Sequence, residues 1–340
     1  MADQSAPGRS GNGGASAASI TDVSANGLFT ELAANVAALQ RMADLPPTRD
    51  MAVNRLKQCL PDPVRRIDLH DLIDRHVDQV IDRMHDPDRH PPDTTLGKAY
   101  LEQLDGYRAE AETLLHLLAI GVFHDRQGKH GHVWVRALQR LVDARDRVGD
   151  SLVDRAQHYP ALLALHAAGC AAVLNGREDV LARLLIEVTW QDPWNGAARP
   201  VGMAVRTFDV LRDGSALPVP SGDVANRSWQ SSRLRADLRD VLAEASAHSD
   251  RAFGVAFDRL EYLMLLVDLD LSGKPRVNTA PTFLAPGMLG SEHIEDHNRV
   301  SELVAQDLRP GWTMLSGGAF GGDLARANSA AAKLASLVGR

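Results

Sequence analysis

The stretch that most constrains the fold is Ala161 to Trp190, ALLALHAAGCAAVLNGREDVLARLLIEVTW, entered through His158-Tyr159-Pro160. Pro160 suits the first turn of a helix, where its missing N–H leaves no bond unmade. Beyond it Leu162, Leu163, Leu165, Gly169, Ala172 and Val173 put apolar character on nearly every side, and such a helix belongs inside a protein. The run Ala167 to Ala172 holds only small side chains, so a neighbouring helix can approach closely. Asn175-Gly176 ends the helix because both residues tolerate left-handed backbone angles. Val180, Leu181, Leu184, Leu185 and Val188 then repeat as the stripe of a second helix. The run from Ala161 to Leu174 covers about 14 residues and includes His166, short of the roughly 20 that a bilayer span needs. Cys170 sits in apolar sequence with no base nearby and reads as a small core residue rather than a nucleophile.

The rest of the chain agrees with a helical fold. Hydrophobic residues make up 44% but aromatics only 5%, so the core must be built from Ala and Leu, which favour helix. No segment alternates apolar and polar for long enough to suggest a strand, and the fold class is expected to be all-α, as a multi-helix bundle or irregular stacked hairpins. A length of 340 residues admits one large or two medium domains. A net charge of -7 argues against a general nucleic-acid footprint. The two cysteines, Cys59 and Cys170, lie in different predicted helices, which suggests a reducing compartment rather than a disulfide scaffold. Residues 1–27 lack the apolar core of a signal peptide, and no run spans a membrane. The expectation is a cytoplasmic protein.

Along the chain, 1–26 is Gly/Ser/Ala-rich and is expected to be a disordered leader. A helical domain over 27–212 follows. It opens with short helices at Leu28–Leu39 and Arg49–Leu60. Leu69, Leu72, Ile73, Val77, Val80, Ile81 and Met84 then stripe one face of a helix over 67–84, opposite a charge-paired face. From Thr94 or Thr95 to Val122 the pattern predicts a helix of about 28 residues, long for a globular protein. Phe123 to Gly131 reads as a polar turn before a helix carrying Val133, Trp134, Leu138, Leu141 and Val142. After the central pair come a turn at Trp190–Gly196 and a short helix over Pro200–Leu211. The Gly/Pro/Ser-rich segment 213–229 is the expected hinge. A C-terminal helical domain over 230–340 follows, with helices at Ser232–Ala247, Ser249–Leu269, Glu292–Leu308 and Leu324–Val338, and a Gly-rich elbow at Trp312–Asp323.

Several motifs invite a chemical reading. His293 and His297 stand at i, i+4, a spacing that can hold zinc, but neither zincin order is present because Ile294 and Asp296 occupy the places where Glu is required. Eight of the 13 histidines fall between His70 and His132. His70-Asp71 resembles the doublet of metal-dependent phosphohydrolases, and His130-Gly131-His132 offers two imidazoles in a turn. For both, a solvated surface or a turn-and-cap role is the expected reading. Gly317 to Asp323 lacks the Gly-Lys-Ser/Thr ending of a phosphate loop and reads as an elbow seating Phe320. Glu261, on a largely apolar helix, is expected to be buried against an Arg. No residue is assigned a catalytic, cofactor-binding or metal-ligating role, and no cofactor is expected.

Some phrases taken together carry a resemblance. They are Tyr107 with Glu112-Thr-Leu-Leu115, Val133-Trp134 with Leu138-Gln-Arg-Leu141, Tyr159-Pro160-Ala-Leu-Leu163, Phe257-Asp-Arg-Leu-Glu261 and Gly318-Ala-Phe320-Gly-Gly-Asp323. Over about 65–338 the chain resembles the helical C-terminal regions of actinobacterial multidomain proteins that carry Sir2-like or NTPase effector domains and are associated with anti-phage defence. The resemblance implies a sensing, scaffolding or oligomerising role with catalysis supplied elsewhere, since no effector domain is expected ahead of these helices. The expected function is therefore a non-catalytic interaction module acting with a protein partner or as a homo-oligomer, without nucleic acid or membrane. The alternatives are a metal-dependent hydrolase using the histidine clusters, and a binder of a small ligand near Asp213–Trp229.

Overall fold

In the computed structural model, residues 48–86, 88, 98–144, 156–191, 197–205, 210–211, 227–273 and 301–338 are described. Helix α1, Arg49–Cys59, buries Ala52, Leu56 and Cys59, one face of its three turns. The chain turns through Pro61 and a 3-10 turn, Pro63–Arg65, which Asp62 caps by accepting a bond from Val64 N at 2.9 Å. Helix α2, Arg66–Met84, buries Leu69, Leu72, Ile73, Val77, Val80 and Met84, the predicted stripe. Helix α3 is Lys98–His124 and helix α4 is Gly131–Asp143. The proposed caps Thr94 and Thr95, the leader, the first short helix at Leu28–Leu39, His293 and His297 all lie outside the described residues.

Helix α5, Tyr159–Leu174, is the centre. Every side chain from Tyr159 to Ala172 is buried, and α3 and α4 pack on it. So do α6, Glu178–Glu187, α8, Arg227–Leu238, and α9, Asp250–Ser272. Its small residues make this possible. A Cβ on Gly169 would stand 2.7 Å from Leu260 Cδ1 on α9, nearer than carbon atoms pack, and 3.3 Å from Leu181 Cδ1 on α6, a tight contact. Gly176, at φ +65, provides the left-handed residue that turns α5 into α6. Ser249 caps α9 by accepting from Ala252 N at 3.2 Å, and Gly273 closes it at φ 66.

After α6 the start of the predicted turn, Trp190 and Gln191, lies in a strand, and 192–196 lie outside the described residues. Strands β1, Thr189–Gln191, and β2, Ala198–Pro200, pair antiparallel with Trp190 opposite Arg199. The side-chain amide of Gln139 on α4 holds β1 from outside, donating to Thr189 O and accepting from Thr189 N, both at 2.8 Å. The helix expected over Pro200–Leu211 begins as α7, Val201–Ala204, and is interrupted at Val205, and 206–209 lie outside the described residues. The helix expected over Ser232–Ala247 ends as α8 at Leu238, and irregular turns with Ala247 and His248 at positive φ carry the chain to α9.

A helix over 301–307 (α10), a single turn α11, Thr313–Ser316, a 3-10 turn, Ala319–Gly322, and α12, Leu324–Val338, complete the described residues. Helix α12 lies on α9, and α11 lies on α6. The fold is all-α apart from the one small hairpin. Of the hinge segment, 213–226 lies outside the described residues and 227–229 open α8. Elements on both sides of it share one core, and Arg49–Arg340 form one unit.

Candidate functional site

The end of α3 and the start of α4 are joined by a loop, 125–130, that one buried carboxylate organises. Asp125 accepts from Lys129 N at 3.0 Å, from His130 N at 2.9 Å and from Trp134 Nε1 at 3.4 Å. Its own carbonyl accepts from Arg177 Nη1 at 3.1 Å. The Trp134 ring lies so close to α3 that a Cβ on Gly121 would stand 2.4 Å from it. His130 Nε2 lies 3.2 Å from Leu60 O. A carbonyl only accepts, so Nε2 carries the proton, and the loop is tied to the end of α1.

Between this loop and the α1–α2 corner lies a cleft of about 850 Å³, within the size range of ligand-binding sites. Leu60, Pro61 and Pro63 form its apolar part, and Lys57, Arg66, His124, Arg126, Lys129 and His130 its basic part. Asp125 also lines it but is engaged by the loop's own N–H groups. Glu244 answers Lys57 at 2.7 Å and His124 at 3.3 Å. Arg126 and Lys129 are exposed and form no ion pair among the described residues. Beside the cleft, Val64 and Ile67 are 87% and 72% exposed.

Arg66 leads from the cleft to a cluster that joins two of the histidine motifs. On α2, His70 lies one turn beyond Arg66, and on α4, His132 faces both. His70 Nε2 and His132 Nε2 are 3.0 Å apart, and Arg66 Nη2 is 3.1 Å from the same His132 nitrogen. Guanidinium only donates, so His132 Nε2 accepts and His70 supplies a second N–H to it. Burial, and then the Arg66 charge, hold both imidazoles below their ordinary pKa, which keeps them neutral at neutral pH. Asp74 on α2, the carboxylate that acts on His70, is bound by Arg136 at 3.0 Å and Arg140 at 3.1 Å. Asp71, the other half of the sequence doublet, is exposed. Among the described residues no group of three or more His, Cys, Asp or Glu is placed to hold a metal.

The remaining polar clusters are structural ties. Glu178 at the start of α6 accepts from Arg259 Nε at 2.6 Å and Trp312 Nε1 at 2.7 Å, and Arg259 Nη2 continues to Asp307 at 2.5 Å. A second, more open cavity of about 760 Å³ adjoins this network. Glu261 is buried as expected, but its hydrogen-bond partner is Ser231 Oγ at 3.1 Å. Arg235 instead pairs with Asp258. Burial pushes the Glu261 carboxyl up to about 7 and raises the Cys170 thiol. Phe320 is buried at φ 56 and stacks on Trp312 with centroids 5.8 Å apart, the seat read from the Gly-rich elbow. The basic cleft itself was not foreseen, because its cations come from three separate segments. Comparison with protein-family models, with curated proteins and with solved structures finds no match to the chain.

Proposed function

We propose that the chain is a helical interaction module that receives an acidic, partly apolar segment of a protein partner in the cleft between the α1–α2 corner and loop 125–130. The observation that carries the reading is one of charge and exposure. A chain of net charge -7 keeps Arg66, Arg126 and Lys129 together without carboxylate partners among the described residues, next to exposed Val64 and Ile67. Exposed apolar side chains rimmed by charge mark interaction surfaces, and a basic surface on an acidic protein selects an acidic ligand by electrostatic complementarity. The defence setting implied by the resemblance would make that partner the carrier of an effector domain, acting in the cytoplasm.

The test is a fluorescence-anisotropy titration with a labelled peptide rich in Asp, Glu and Leu, against a Lys-rich control of equal length. Binding of the acidic peptide alone is expected. It should weaken with added salt and fall at least tenfold in Arg126→Glu/Lys129→Glu. The anchoring bond at Lys129 is made by its backbone N–H, so these changes leave the loop intact. Equal binding of the two peptides, or affinity unchanged by the double substitution, would remove the reading.

A further inference from the structure

We infer that the segment received by the cleft is phosphorylated, and that its phosphate sits against Arg66, His70 and His132. This rests on the proposed acidic partner and adds the chemistry of its recognition. Three nitrogens from two helices converge there: Arg66 Nη2 and His70 Nε2 both lie within 3.1 Å of His132 Nε2. Among the described residues these groups have only one another as hydrogen-bond partners. A phosphoryl group offers three strong acceptor oxygens and nearly two negative charges, one oxygen for each nitrogen once His132 turns its proton to Nε2. A carboxylate brings only one negative charge and two oxygens to the same three donors.

The surroundings favour an anion over a cation. The charged groups around the pair are Arg66 on α2, Arg136 on α4 and Arg183 on α6, with the His130 ring just before α4 and Asp74 as the acidic exception. Asp74 is held by Arg136 and Arg140, and Arg183 by Glu187 at 2.7 Å. A metal ion would have to displace the Arg66 guanidinium from His132 and would find no third protein ligand among the described residues. Arg66 also lines the cleft, so a peptide lying on Pro61 and Pro63 brings its phosphate to the cluster.

The experiment compares a labelled acidic peptide carrying one phosphoserine with the same peptide unphosphorylated, both bound to the full chain. The phosphopeptide should bind at least tenfold tighter, and His70→Ala and His132→Ala should each abolish that gain while leaving the unphosphorylated affinity in place. A structural loss is separated by a second measurement: inorganic phosphate titrated into the unmodified protein should shift the His70 and His132 ring-nitrogen signals in NMR. Equal affinity for the two peptides overturns the inference and leaves the interaction reading standing. Binding of neither overturns both. Unmoved imidazole signals, or stoichiometric zinc binding that His132→Ala removes, also overturn it, the latter in favour of a metal site.

Discussion

His166 lies in the middle of α5 with no exposed surface. Its Nδ1 donates to Leu162 O at 2.9 Å, its Nε2 has no partner among the described residues, and its ring rests 5.6 Å from that of Phe257. Burial lowers its pKa from 6.5 to about 4, against the opposing effect of the Leu162 bond. The unfolded chain therefore takes up the proton first as pH falls. Stability is full above about 6.5 and is lost progressively towards 4, by on the order of 3 kcal/mol in all. His76 and His116, also lowered chiefly by burial, add loss of the same sign. Urea denaturation between pH 7.5 and 4.5 checks this. His166→Leu should flatten the curve, and an unchanged slope would contradict the assignment. The same burial governs the thiols. Cys59 and Cys170 are both free and buried, and burial raises each pKa. Neither should react with a thiol reagent in the native protein, whereas two should react in denaturant.

Between elements, close approach is the rule that the small side chains enforce. Gly169→Val must push α5 away from Leu260 and should cost about 1–3 kcal/mol, with part of the loss recovered in the double variant with Leu260→Ala. Additive losses would place the strain elsewhere. The Glu178–Arg259–Asp307 tie makes an ordered prediction. Arg259→Met leaves Glu178 buried without its cation and should cost about 3–5 kcal/mol, while Glu178→Gln leaves Arg259 paired with Asp307 and should cost less. Denaturant midpoints would show the order. Elements with a continuous stripe, such as α2, are legible from sequence because periodicity reports the buried face, and α5 is legible from its unbroken apolar run. The same signal misleads after Leu238. Val241, Leu242, Ala245 and Ser246 are buried at helical spacing, yet Ala247 and His248 turn left-handed and His248 N bonds Ala243 O at 2.7 Å. Period marks which side chains face inward and not whether the bond ladder is unbroken. Strands of three residues, as in β1 and β2, have too few positions to show alternation, and β1 is held by Gln139 from a distant helix.

At the scale of the molecule, the site is where sequence reading stops. His70 and His132 are each visible as motif residues, but their 3.0 Å meeting depends on how α2 packs against α4. The cleft likewise exists only once α1, α2 and loop 125–130 are in place. The central helix has a further consequence, in time rather than in space. Side chains from Tyr159 to Ala172 are buried from several sides, and one of the covering elements, α9, ends only at Ser272. During synthesis at about 5–20 residues per second, an almost wholly apolar helix waits roughly 5–20 s for that cover. Chains halted at residue 211 should therefore aggregate or remain bound to chaperones, and chains that reach 273 should not. Release from stalled ribosomes at the two lengths, followed by sedimentation, would reveal the interval during which this protein depends on the company it keeps.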